Sequence, residues 1–221
     1  MSGHRALYVL AVVLLMGSDA MAIEQPDYTV VRALGKDVEL RDYPGYLVAE
    51  TRVPGSRSDA GNESFRRLAG YIFGANRKQQ KFAMTAPVTT SPAPAGEPAE
   101  GEKLAMTTPV TQTKAESGEW LVQFVLPKGQ TLASLPQPND SRVTLRALPA
   151  RRYAVIRYSG TWSDANFEEH LALLRAAMAR EKLLPLGEPV WARYDPPFKP
   201  WFLRTNEILL ELARPSEPSA R

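Results

Sequence analysis

Val38-Glu-Leu-Arg-Asp-Tyr-Pro44 and Val143-Thr-Leu-Arg-Ala-Leu-Pro149 share the pattern V-x-L-R-x-x-P, 105 residues apart. In the first copy Val38 and Leu40 alternate with Glu39 and Arg41, the period of a half-buried strand. Each copy leads into a second β-rich run, Tyr46 to Val53 and Tyr153 to Ser159. Each run is followed by a segment of helical period with a phenylalanine at its head. Phe65, Leu68, Ala69 and Ile72 fall at i, i+3, i+4 and i+7. Phe167, Leu171, Leu174 and Met178 make the second stripe, and the two phenylalanines are 102 residues apart. The first helix is expected to start in the Ser56 to Asp59 cluster and to stop by Gly74 and Asn76. The second is capped by Thr161 or Ser163 and ended by Pro185 and Gly187. Further strands follow: Trp120, Val122, Phe124 and Leu126 share one face, as do Ile208, Leu210 and Leu212. Two strand–strand–helix–strand halves predict an α+β fold, with one curved antiparallel sheet system and two helices outside it.

A shorter echo, Lys81 to Thr89 and Lys103 to Thr111, repeats K-[FL]-A-M-T-[AT]-P-V-T on either side of the Pro-rich stretch Ser91 to Glu102. That stretch has no apolar period and reads as an exposed loop. Proline removes a ladder donor, so these prolines are expected at an edge or a bulge.

The ends of the chain read differently. His4-Arg5, the apolar run Ala6 to Met16 and the small-x-small box Ala20-Met21-Ala22 have the form of a signal peptide over residues 1–22. The run is too short to span a bilayer, which needs about 20 residues. An exported, periplasmic protein is the expectation, with a domain over residues 23–212, pseudo-repeats near 28–126 and 142–212, and a disordered tail over 213–221.

Composition removes several chemistries. The 221 residues include no cysteine and two histidines. Disulfides, thiolate nucleophiles, iron–sulfur clusters, covalent c-type haem and Cys-ligated zinc are excluded, and multi-His metal sites with them. The 27 basic and 24 acidic residues form no Lys/Arg block, so no nucleic-acid partner is expected.

Taken together, V-E-L-R-D-Y-P, the two A-M-T-x-P-V copies, Phe124-Val-Leu-Pro127, Leu135-Pro-Gln-Pro138, Gly160, Tyr194-Asp-Pro-Pro-Phe-Lys-Pro-Trp201 and Arg204-Thr-Asn-Glu207 make the chain resemble the SOUL family of haem-binding proteins. The resemblance runs from about Tyr28 to Leu212. It implies a pseudo-twofold, distorted antiparallel β-barrel flanked by two helices. It also implies a non-covalent haem or other tetrapyrrole ligand, and a non-enzymatic role in carriage, buffering or scavenging. The implied binding surface lies around the first helix and the loop before the last strand. Those segments hold Phe65, Arg66, Leu68, Ala69 and Ile72, with Arg67 beside them, and Phe198, Lys199 and Trp201 in the loop. Lys199 is the first choice for a propionate.

A second reading of the same residues stays open. The helix stripe can instead face the sheet as core, as amphipathic helices do. No metal ligand is assigned. His170, the only imidazole outside the signal segment, is a weak candidate with no motif behind it and reads more readily as a boundary residue, and Met84 and Met106 read as packing. Arg204, Asn206 and Glu207 read as a structural knot closing the barrel. The alternative function is a binding module for another hydrophobic small molecule, in the manner of regulator-type effector domains. An enzymatic role would have to use Glu207 with a tyrosine.

Overall fold

The computed structural model describes residues 24–77, 101–115 and 117–214. Residues 1–22, Met84 with the first A-M-T-x-P-V copy, and residues 215–221 lie outside the described residues.

The chain order is β1 (Thr29–Gly35), β2 (Val38–Tyr43), β3 (Tyr46–Val53), α1 (Arg57–Ile72), β4 (Asn76–Arg77), β5 (Val110–Lys114), β6 (Trp120–Val125), β7 (Gln137–Pro138), β8 (Thr144–Leu148), β9 (Arg151–Tyr158), α2 (Asp164–Arg180), β10 (Val190–Arg193) and β11 (Asn206–Leu212). Among the described residues nine strands form one sheet in the order β1-β2-β9-β11-β10-β5-β6-β3-β8, and β4 pairs with β7 separately. All strand pairs are antiparallel.

The order is a palindrome of the two halves. Reading from one end gives β2-β9-β11-β10; reading from the other gives β8-β3-β6-β5. The pseudo-twofold passes between β5 and β10, where Ala192 pairs with Thr111. Among the described residues β1 is the only strand of this sheet without a mate. The first seven positions of β3 and β9 also run through the same succession of burial.

The two V-x-L-R-x-x-P motifs show why this sheet must curl. β2 and β3 are six places apart in the sheet, yet Pro44 and Gly45 alone connect them. In a flat sheet six strand spacings would be about 29 Å, at about 4.8 Å each. Two connecting residues reach about 11 Å, at 3.8 Å per Cα step. Pro149 and Ala150 make the same short connection from β8 to β9. The prolines of the motif therefore mark the places where opposite sides of the sheet are drawn together. This gives the α+β, barrel-like architecture, as a curled half-barrel whose outermost strands β1 and β8 do not pair.

Both helices lie on one face. α2 buries Phe167, Leu171, Leu174, Ala177 and Met178 against Leu40, Ala154, Ile156, Trp191, Ile208 and Leu210. α1 buries Leu68, Ala69, Tyr71 and Ile72 against Ala49, Val122, Phe124 and Leu135. The opposite face gathers Tyr43, Tyr153, Val155, Ala192 and Leu209, with Tyr46 packed on them from β3.

The helix caps set the true register of the duplication. Ser56 caps α1, its hydroxyl accepting from the Asp59 N–H at 3.2 Å. Ser163 caps α2, its hydroxyl accepting from the Asn166 N–H at 3.3 Å. Counted from the caps, Phe167 matches Ala60 and not Phe65. Phe167 is buried and Phe65 is 45% exposed, so the shared leading phenylalanine is a coincidence of period. α2 also stops at Arg180, before Pro185, with Lys182 at φ 56 just beyond it. Pro109 is a further correction. It does not lie at an edge: β5 is paired on both sides, and Pro109 immediately precedes it, where no ladder N–H is needed.

Candidate functional site

The loop between β10 and β11 is built as a rigid knuckle. Asp195 anchors it, one carboxylate oxygen accepting from the Thr205 N–H at 2.5 Å and the other pairing with the Lys199 ammonium at 2.5 Å. Arg204 donates to the carbonyls of Lys199, at 2.8 Å, and Pro197, and its guanidinium lies 4.3 Å from the Trp162 ring centroid. With its polar groups tied inward, the loop presents apolar side chains outward. Phe198 is 87% exposed, and Trp201, Phe202 and Leu203 are also exposed. Large apolar side chains clustered this way mark a binding surface more often than scattered single ones do. Lys199 already has a carboxylate partner in Asp195, which weakens it as a free cation for a ligand.

The first-helix residues divide. Leu68, Ala69 and Ile72 are buried in the core, because the stripe that holds the helix to the sheet is the stripe the period reveals. As packed, they offer no surface to a ligand. Phe65 and Arg66 are exposed; the Phe65 ring lies 5.5 Å from that of Phe124, and Arg66 pairs with Glu63 at 2.7 Å. Trp162 links the loop to the start of α1, eight residues before Phe65. Trp162, which Arg204 covers, accepts at its carbonyl from Arg57 and donates its indole N–H to Asn206 at 2.9 Å.

The Arg204–Asn206–Glu207 knot is split by strand alternation. Asn206 faces Trp162 and donates to the Gly160 carbonyl at 3.3 Å. Glu207 points to the other face, fully buried, and accepts from Arg41 at 3.0 Å, Arg157 at 2.9 Å and the Tyr194 hydroxyl at 2.5 Å. The tyrosine expected of an enzymatic role is therefore present, but its partner carboxylate is sealed. Burial, and then the charge of Glu207, push the Tyr194 phenol well above its usual range, so it remains a donor. Burial opposes the Arg41 charge, but Glu207 and Tyr43 outweigh it and raise the pKa of the guanidinium. This arrangement neutralises a buried carboxylate and is suited to holding β2, β9, β10 and β11 together.

His170 occupies the boundary of α2. Its Nδ1 lies 2.7 Å from the Asn166 carbonyl oxygen, and its ring stacks on Tyr158 with centroids 4.1 Å apart and planes 17° apart. Gly160 helps to shape this corner. Its φ is 124°, and a side chain there would come within 2.6 Å of the Asn166 amide. The Gly160 N–H donates to the Trp201 carbonyl at 3.1 Å, which ties the aromatic loop to the same corner. Sequence reasoning missed Tyr158, Trp162 and Asn166, whose roles arise only when β9, α2 and the loop meet.

A tetrapyrrole needs flat apolar area, cations for its propionates and, for iron, a nitrogen or sulfur donor. The exposed aromatic loop and an imidazole at its edge fit those needs in kind. Among the described residues, no three His, Asp or Glu side chains gather as a metal cluster, and no helix is long and apolar enough to cross a membrane.

The profile of the family described as SOUL heme-binding protein matches residues 23–211. Heme-binding protein 1 of Xenopus tropicalis is 26% identical over 180 residues, covering 78% of this chain and 86% of that protein. Heme-binding protein 2 of Mus musculus is 26% identical over 209 residues, covering 92% of each. Among solved structures, a hydrolase from Listeria innocua has the same fold, with a TM-score of 0.55 at 13% identity, over 80% of this chain and 92% of that one. The palindromic sheet, its paired helices and a family match over nearly the whole domain agree, and the chain belongs to the SOUL heme-binding protein family.

Proposed function

We propose that this protein is an exported, non-enzymatic binder of haem or another tetrapyrrole, which it carries, buffers or scavenges. The observation that carries the reading is the family match over residues 23–211. The exposed Phe198, Trp201, Phe202 and Leu203 support it as apolar area for a macrocycle. With no cysteine in the chain, attachment is non-covalent. Glu207 and Tyr194, the best placed acid–base pair, serve the barrel and not a substrate. Export is supported by the Ala6 to Met16 run and the Ala20-Met21-Ala22 box.

Hemin titration of the chain tests the binding. A saturable Soret change with quenching of tryptophan emission is expected, and it should weaken when Trp201 is replaced by alanine. No Soret change and no quenching would overturn the reading. Fractionation of cells, with N-terminal sequencing of the recovered protein, tests export; a start after Ala22 in the periplasmic fraction is expected.

A further inference from the structure

We propose that the tetrapyrrole lies against α2, in a cleft where His170 Nε2 is the iron ligand; this rests on the binding function proposed above. Between α2 and the sheet runs a cleft of about 520 Å³, within the roughly 300–1,000 Å³ usual for small-molecule sites. One wall is a strip of α2: His170, Leu173, Ala176, Ala177 and Arg180. The other is the β1–β2 turn with the end of β9, from Ile156 to Ser159. Leu173 is exposed beside the two small alanines, so the strip is apolar and leaves room between its ends.

His170 is held in the orientation that ligation requires. A carbonyl oxygen only accepts, so the 2.7 Å contact to Asn166 puts a proton on Nδ1 and makes Nε2 the ring nitrogen that can ligate in the neutral ring. Metal-bound histidines are oriented in this way, through the ring nitrogen that does not bind. The Tyr158 stack fixes the ring plane as well. These two contacts exist without any ligand, so the imidazole is preorganised.

The charge is at the other end of the cleft. Arg180 lies ten residues beyond His170, about 15 Å along the helix axis. The turn approaches it closely: a side chain at Gly35 would come 3.7 Å from Arg180 Nη2. Lys36 of that turn lines the cleft too, and among the described residues neither Lys36 nor Arg180 belongs to an ion pair. Asp37 is the carboxylate on that wall. A donor nitrogen at one end, an apolar strip between and two cations at the far end complement an iron tetrapyrrole with acidic side arms. The aromatic loop meets the His170 end, since Trp201 is hydrogen-bonded to Gly160, next to the cleft residue Ser159.

The test titrates the full chain and two variants with hemin and with metal-free protoporphyrin. In His170→Ala the hemin affinity should fall about 10- to 100-fold and the imidazole-type Soret band should be lost, while protoporphyrin still binds, because it has no iron to ligate. Leu173→Arg, at an exposed position, should weaken both ligands. Hemin bound by His170→Ala with the parent's affinity and spectrum would overturn the ligand assignment and leave the binding function standing. Undiminished binding of both ligands by Leu173→Arg would overturn the location. Failure of the unaltered chain to bind hemin would overturn the function and this proposal together.

Discussion

Arg41 and Arg146 hold the same place in V-x-L-R-x-x-P, and each reaches a glutamate across the sheet. Arg41 pairs with Glu207 at 3% and 0% side-chain exposure; Arg146 pairs with Glu50 at 52% and 8%. The surroundings differ because β1 covers the outer edge of β2, while β8 is itself the edge. Tyr28 also lies over Arg41, with the guanidinium 4.2 Å from its ring centroid. The duplicated motif thus specifies strand pairing and the curl of the sheet. What lies beyond the edge strand decides how far the charge pair is withdrawn from water, and so what it is worth. Removing one partner of a sealed pair leaves an uncompensated charge and costs about 3–5 kcal/mol. A pair whose cation stands half in water, as Arg146 does, is screened and contributes about 1 kcal/mol or less. Arg41→Met is therefore expected to lower unfolding stability by about 3 kcal/mol, the low end of that range because Arg157 and Tyr194 still partner Glu207, and Arg146→Met by no more than about 1 kcal/mol, read from urea denaturation midpoints. Equal losses would erase the difference between the halves.

The helices give the second contrast. Phe167 lies on the buried face of α2 with its ring centroid 3.6 Å from that of Trp191, and truncation to alanine should cost about 3–4 kcal/mol. Phe65, half exposed, should cost about 1 kcal/mol on the same change. Thermal melts of both variants check this. A larger loss from Phe65→Ala would restore it as the true counterpart of Phe167.

Most of the buried phenols belong to the α2 half. Burial, the largest cause in each, raises the pKa values of Tyr43, Tyr153 and Tyr194, and pushes Tyr158 up to about 12. In the α1 half burial pushes Tyr71 up to about 12 and raises Tyr46. A folded pKa above the unfolded one gives stability that is complete below the ordinary phenol value, near 10, and lost as pH rises toward the folded value. The melting temperature should therefore hold to about pH 10 and fall above it. Tyr158→Phe should make that fall shallower, as should Tyr71→Phe. A flat alkaline profile would show that the phenols are not sealed as the structure places them.

The sheet and its duplication were legible because alternation of Val and Leu with charged residues is a local signal, and the motif prolines mark both short connections. Leu68, Ala69 and Ile72 were legible as a stripe, but period alone cannot tell a stripe facing a sheet from one lining a ligand. The helix caps would have separated Phe65 from Phe167, since each cap serine lies three residues before the Asp59 or Asn166 whose N–H it accepts. The split between Asn206 and Glu207 is simple strand alternation, obscured by reading them as one polar cluster. His170 was legible only as a boundary residue and a weak ligand candidate. Its orientation depends on Asn166 one turn earlier and on Tyr158 in another element, and no spacing in the sequence announces that meeting.

The smallest expected effect concerns the residue that most directly opposes the two helices. Ser64 and Leu171 each lie eight residues past their cap serines and are both buried. Leu171 fills its place with apolar volume. Ser64 places a hydroxyl there, and among the described residues it has no hydrogen-bond partner. Ala60, Gly61 and Ser64 give α1 a small-residue surface near its start, where the Gln112 amide reaches across to donate to the Arg57 carbonyl at 3.0 Å. An unpaired buried hydroxyl costs about 1–3 kcal/mol, and alanine is the better helix former by about half a kcal/mol. Against this stands the loss of one oxygen's packing. Ser64→Ala is therefore expected to raise stability by about 1 kcal/mol, while Ser64→Leu overfills the gap and lowers it by about 1–3 kcal/mol. Were leucine to stabilise, the room under α1 would match that under α2, and the small residues of α1 would no longer distinguish the halves.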